Sequence, residues 1–140
     1  MNKNITFRPF GYLRDPLFLV CVVLYVVNRF WIKPNCDFFF FHAWLNDTIC
    51  IPFVVPPMLW LLRCLRLRFH DEPPTLEEIA IPLLMISWTF EIYLPNTAAY
   101  RDLTFASAWD IVAYTVGAVF SGVFWFFWYK IDERGTYVSG

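Results

Sequence analysis

Apolar residues fall into four long runs along this chain, separated by short polar or proline-bearing breaks. The first run, Leu17 to Ile32, is bounded by Arg14, Asp15 and Pro16 before it and by Lys33, Pro34 and Asn35 after it. The second follows an aromatic stretch from Phe38 to Leu45 and the polar pair Asn46 and Asp47, then runs to the basic cluster Arg63, Arg66 and Arg68. The third opens on Pro73, Pro74 and Thr75-Leu-Glu-Glu78, a capping box in which the threonine and the second glutamate each satisfy a free backbone N–H, and it stops at Pro95 and Asn96. The fourth begins near Ser107, an N-cap candidate, and reaches Trp128 before Lys130. A membrane-crossing helix needs about 20 residues, so the pattern predicts spans over about 16–32, 46–66, 76–95 and 107–129. The expected fold is all-α, a transmembrane four-helix bundle forming one domain over 1–130, with a polar C-terminal tail over 131–140.

Two features qualify these spans. Eight residues rise only about 12 Å as a helix and aromatics gather at the membrane interface. The stretch Phe38 to Leu45 is therefore read as interfacial, the alternative being that it opens the second span. Pro52, Pro56 and Pro57 fall inside the second span, and each removes a backbone donor and crowds the carbonyl four residues back. A kink or local unwinding is expected there. A cleaved leader is the alternative for the first run, disfavoured because Asn28 and Arg29 interrupt it and no small-residue cleavage site follows.

Composition then excludes other classes. Of 140 residues, 59% are hydrophobic, 21% aromatic and 16% charged; a soluble core in so short a chain cannot hide that much apolar surface. Four spans leave no room for a separate catalytic domain. A net charge of −1, with no long basic run, gives no electrostatic footprint for nucleic acid. Cys21, Cys36, Cys50 and Cys64 lack metal-site spacing and are read as small apolar residues. Nothing calls for a cofactor.

Basic residues set the expected orientation. Lys3, Arg8, Arg14, Arg63, Arg66, Arg68, Lys130 and Arg134 lie on one side of the predicted spans, against Arg29, Lys33 and Arg101 on the other. The positive-inside rule places both termini and the middle loop in the cytoplasm.

That orientation puts Asp47, Glu91, Arg101, Asp102 and Asp110 at one external level. Ionised side chains in a span are costly, so their common depth marks a candidate polar cluster, with Asn46, Tyr100 and Tyr114 in support. Asp110 also fits a first-turn acid complementing the helix dipole, and Asp47 beside Asn46 fits a helix cap. Glu91 fits neither: it sits late in its helix among Trp88, Phe90, Ile92 and Tyr93, and Arg101 is its expected partner. His42 is read as an interfacial histidine, leaving any metal site undefined. Glu77 and Glu78 belong to the capping turn, Asp71 and Glu72 to a solvated loop. Ala113, Gly117 and Ser121, with Ala118 and Gly122 beside them, form a small-residue stripe of the kind that lets membrane helices approach. It is read as core packing, with a homo-oligomer contact as the other reading.

The same residues carry a resemblance. Glu91-Ile-Tyr-Leu-Pro95, Arg101-Asp102 and Trp109-Asp110-Ile-Val-Ala-Tyr-Thr-Val-Gly117 resemble the VanZ-like family, with its acid closing one span, Arg and Asp in a short loop, and D-x-x-x-N-x-x-G opening the next. Asn46-Asp47 followed by Pro52 is similar to that family's proline-bearing earlier span. The chain departs from the pattern at Leu94, where the family often has Gln, and at Tyr114, where Asn is usual. The resemblance covers about Asn46 to Gly122 and implies a cell-envelope role, including low-level resistance to the glycopeptide teicoplanin. The chain also resembles small membrane proteins described as magnesium/citrate secondary transporters. Two functions stay open: a non-enzymatic membrane protein whose external pocket binds a lipid-linked or glycopeptide ligand, and a transporter or cation- and proton-binding protein using Asp47, Glu91 and Asp110. No Ser/His/Asp set, Cys/His pair or phosphate loop points to an enzyme. A shallow external pocket favours the first function, a continuous polar path the second.

Overall fold

The computed structural model describes residues 5–38, 44–99 and 108–130. These residues are all-helical, with a single antiparallel bridge between Phe7 and Lys130. Four helices are long and apolar enough to cross a membrane: α1 (Pro16–Asn35), α2 (Leu45–Cys64), α3 (Leu76–Asn96) and α4 (Ala108–Tyr129). Apolar side chains such as Val23, Leu84, Val119 and Phe127 are exposed around them. A helix that is apolar on all sides suits a hydrocarbon surround.

Local chemistry explains how the helices start and stop. Asp15 caps α1 by accepting from the Phe18 N–H at 2.9 Å, and Pro16 follows at the first helical position, where its missing donor costs nothing. Thr75 and Glu78 form the complete capping box of α3. Helix α2 ends where Arg66 turns to φ 58, the left-handed residue that commonly terminates a helix. It starts at Leu45 with Trp44 before it and no side-chain cap, so Asn46 and Asp47 lie inside its first turn and neither is the cap. It continues as one helical element through Pro52, Pro56 and Pro57.

The irregular backbone lies elsewhere. Both α1 and α3 change from α to π winding shortly before a proline, over Asn28–Ile32 and Thr89–Tyr93. Each wide turn is closed by a bond from the sixth residue back to the first, Lys33 to the Asn28 carbonyl and Leu94 to the Thr89 carbonyl. A proline ring clashes with the carbonyl four residues earlier, and a wider turn relieves that clash. Each helix ends one residue after its proline, at Asn35 and Asn96, so Pro34 and Pro95 stand at the stops that the sequence had marked. The following asparagines repeat the likeness: Asn35 Nδ2 donates to the Trp31 carbonyl at 2.8 Å, and Asn96 Nδ2 to the Ile92 carbonyl at 2.6 Å.

Helices α2 and α4 make the most extensive contact. Gly117 is the reason: a Cβ there would stand 1.8 Å from the Thr48 carbonyl oxygen. Ala113, Ala118 and Ser121 are buried alongside it, so the small-residue stripe is occupied by packing within the chain. Helix α3 packs on both α2 and α4, whereas α1 rests on α2 and barely meets α4. The fully buried centre is apolar and includes Ile51, Val55, Leu59 and Trp125.

Candidate functional site

Polar side chains gather at the two ends of this bundle, with the apolar centre between them. At the end where α1 and α3 begin, Asp15 is fully buried. Its carboxylate accepts from Trp125 Nε1 at 2.9 Å and from the Tyr129 hydroxyl at 2.6 Å, besides capping α1. Arg68, only 3% exposed, pairs with Glu78 at 2.7 Å and donates to the Tyr12 hydroxyl and to the carbonyls of His70 and Glu72. Tyr12 in turn donates to Asp71 at 2.6 Å, and Arg63 reaches the same carboxylate at 2.9 Å. Tyr12 sits at φ 50, a costly conformation for a bulky residue, held there by these bonds. Its hydroxyl is pushed up by burial and by its bond to Asp71. The Tyr12 bond is the main reason Asp71 lies below the usual aspartate value, with Arg63 adding to it. Burial works against the charge of Arg68, but Glu78 more than offsets this and keeps it firmly protonated. Asp71 is therefore tied into the knot and is not simply solvated, as its loop position had suggested. Arg8 also donates to the Trp128 carbonyl, which fastens the N-terminal segment to the end of α4.

The knot accounts for its own donors and acceptors and offers a ligand nothing. It is a structural clamp. Its signal in the sequence was faint: Asp15-Pro16 as a cap, and Trp125 and Tyr129 one turn apart on α4.

The opposite end is different. Asp47 is half-buried, hydrogen-bonded to the Tyr114 hydroxyl, and in electrostatic contact with Asp110, Glu91 and Lys33. Four helices contribute, α2 with Asp47, α3 with Glu91, α4 with Asp110 and Tyr114, and α1 with Lys33. Asn46 accepts from the buried Asn28 at 2.9 Å, locking α1 to α2 just below. The wide turn of α3 carries Glu91 to this group, half-buried, although it lies late in its helix. Trp44 and Trp109 meet above, ring centres 6.5 Å apart.

The acids are stepped along the bundle axis. Thr48 and Gly117 are level, and α2 and α4 run the same way. At 1.5 Å per residue, Asp110 stands roughly 9 Å farther out than Asp47, with Tyr114 between them. The site is a short ladder of oxygens descending into the bundle. It stops at Asp47 and the neighbouring Cys50, since Ile51 and Val55 below are completely buried.

Of the residues the sequence singled out, Asp47, Glu91, Asp110, Asn46 and Tyr114 come together here. Arg101, Asp102 and Tyr100, with His42 and the Ser107 cap, lie outside the described residues. Among the described residues no group of three or more His, Cys, Asp or Glu has metal-binding geometry. Sequence reasoning missed Lys33 and Asn28, the polar residues flanking the wide turn of α1. No known protein family, curated protein or solved structure matches the chain.

Proposed function

We propose that this chain is a multi-pass membrane protein, with both termini in the cytoplasm, whose outer end binds the positively charged part of an envelope ligand. One observation carries the reading: Asp47 sits with Tyr114, Asp110 and Glu91 around it, above a fully buried, mostly apolar centre. Asp47 and Asp110 lie in electrostatic contact here, and carboxylates brought together in partial burial attract a cation more strongly than in open water. The closed centre favours binding over conduction, because a permeant ion would have to cross Ile51, Val55 and Leu59. The Phe7 to Lys130 bridge supports a shared side for the two ends, and the excess of basic residues there supports the cytoplasmic one.

A VanZ-like envelope role, with a lipid-linked or glycopeptide ligand, accords with this reading through the motif around Asp110. Tyr114 stands where that motif has Asn, and it keeps a hydrogen bond to Asp47. In the transporter alternative, proline-bearing α2 would be the moving part and the apolar centre would have to open.

The test replaces Trp109, exposed at the mouth beside Asp110, by Cys in a chain whose native cysteines are Ala or Ser, and labels intact cells with a membrane-impermeant maleimide. Labelling from outside, slowed by choline, is expected. Labelling only after lysis would overturn the orientation, and labelling indifferent to choline would overturn cation binding.

A further inference from the structure

The connection between α2 and α3 carries a charge inward and its apolar groups outward. Arg68 is 3% exposed, whereas its neighbours Leu67 and Phe69 are 65% and 86% exposed. A loop in water shows the opposite pattern, because burying a charge is costly and large apolar side chains gain nothing from water. Apolar surface presented in this way marks a contact with membrane or protein.

The backbone of the connection is also closed off from water. Four consecutive N–H groups donate back to carbonyls at the end of α2: Leu65 to Leu61, Arg66 to Arg63, and both Leu67 and Arg68 to Leu62, at 2.9 to 3.2 Å. On the acceptor side, Arg63 donates to the Arg68 carbonyl, Arg68 to the carbonyls of His70 and Glu72, and the Phe10 N–H to the carbonyl of Asp71. An unsatisfied backbone group grows more expensive as water thins out toward the hydrocarbon. A connection that satisfies these groups within the protein is fitted to that region, and a solvated loop has no need to do so.

Continuity identifies the covering medium. Leu61 and Leu65 are exposed one turn apart at the end of α2, so the apolar outer face of that helix runs on into Leu67 and Phe69. Arg66 and His70 are exposed among them, and side chains of this kind lay an apolar stem or ring edge on hydrocarbon while the polar head reaches the headgroups. We infer that the α2–α3 connection is an interfacial anchor, with Leu67 and Phe69 inserted about 5–10 Å into the headgroup–acyl boundary of the bilayer that α2 crosses. Arg68, between the two anchoring side chains, holds Glu78 and Tyr12. The anchor therefore fixes the depth of the knot as well as that of α2 and α3. It is independent of the binding proposed for the opposite end.

Nitroxide labels on Leu67→Cys and Phe69→Cys, in a chain whose native cysteines are Ala or Ser, test this in lipid nanodiscs holding one copy each. Both side chains are exposed, so the label displaces no packed group, and either position decides the matter if the other variant folds poorly. The readout is the collision rate with oxygen, which concentrates in hydrocarbon, relative to that with a water-soluble nickel chelate. Val119→Cys, exposed on the middle of α4, gives the hydrocarbon reference, and a soluble nitroxide gives the water reference. The oxygen-to-nickel ratio at 67 and 69 should lie several-fold above the water reference and below that of Val119→Cys. A ratio equal to the water reference at both positions would overturn the inference and make a protein partner the occupant of this surface. Protection from nickel without collision with oxygen would overturn it as well, because protein rather than lipid would then cover the labels.

Discussion

Adding one methyl group at Gly117 should damage both the bundle and its outer site. The Cβ of Gly117→Ala would stand 1.8 Å from the Thr48 carbonyl oxygen and 2.9 Å from its carbonyl carbon, against 3.4 Å or more for ordinary contact. The obstacle is backbone in the first turn of α2, so no side chain can swing aside and the two helices must separate. Overpacking a tight contact costs about 1 to 3 kcal/mol, and a rigid backbone neighbour puts this site at the upper end, about 3 kcal/mol. Gly122, five residues on in the same helix, is the control: its Cβ would meet Ile79 Cδ1 at 3.4 Å. Gly122→Ala should be neutral or stabilising by about 1 kcal/mol through helix propensity. The separation also has a functional reading, because Tyr114 lies one turn from Gly117 and reaches Asp47 across this interface. Reversible unfolding in mixed micelles gives the two stabilities, and choline binding gives the site. Gly117→Ala as stable as Gly122→Ala would refute the close α2–α4 contact. A destabilised variant with native choline affinity would show that the contact does not position Asp47.

Two further predictions concern the clamp at the other end. Arg68→Gln leaves Glu78 without its partner; breaking a buried pair costs about 3 to 5 kcal/mol, and the 18% exposure of the Glu78 side chain lowers the expected loss to about 2 or 3. The double variant Arg68→Gln/Glu78→Gln should be less damaged than the sum of the single variants in a cycle of unfolding free energies, and additivity would show that the pair is not coupled. Asp71 is held below its ordinary value of 3.8, so its contribution is present above that pH and is lost as the solution is acidified through the folded value. Asp71→Asn should flatten that acid limb of the stability profile slightly, since the pair is partly solvated, and an unchanged limb would assign the acid loss to other carboxylates.

The positions of the helices were legible from the lengths of the apolar runs, and two of the starts have a local chemical cause, Asp15-Pro16 for α1 and the box from Thr75 to Glu78 for α3. The wide turns were not. Pro34 and Pro95 look like stops in a linear reading, because the rule that a proline ends a helix assumes α winding before it. The wide turn relieves the crowded carbonyl and lets each helix run through its proline to the asparagine that follows, where it ends. That choice also decides the candidate site. Five residues of π winding in each helix change the angle at which its side chains leave the axis, and this brings Glu91, inside the wide turn of α3, and Lys33, just after that of α1, toward Asp47. The acids could be assigned to one end from sequence, since span direction alternates, but their stepping could not. It depends on which residue of α2 meets Gly117, and only the fit of a glycine against the Thr48 carbonyl sets that register. The clamp around Asp15 was harder still, because its partners Trp125 and Tyr129 stand more than a hundred residues away and each reads as an ordinary interfacial aromatic. A buried carboxylate with three donors closes one end of the bundle, while at the other end Asp47 lies in electrostatic contact with Asp110 and Glu91. Composition alone does not separate these two sets of acids; the three donors aimed at Asp15 do.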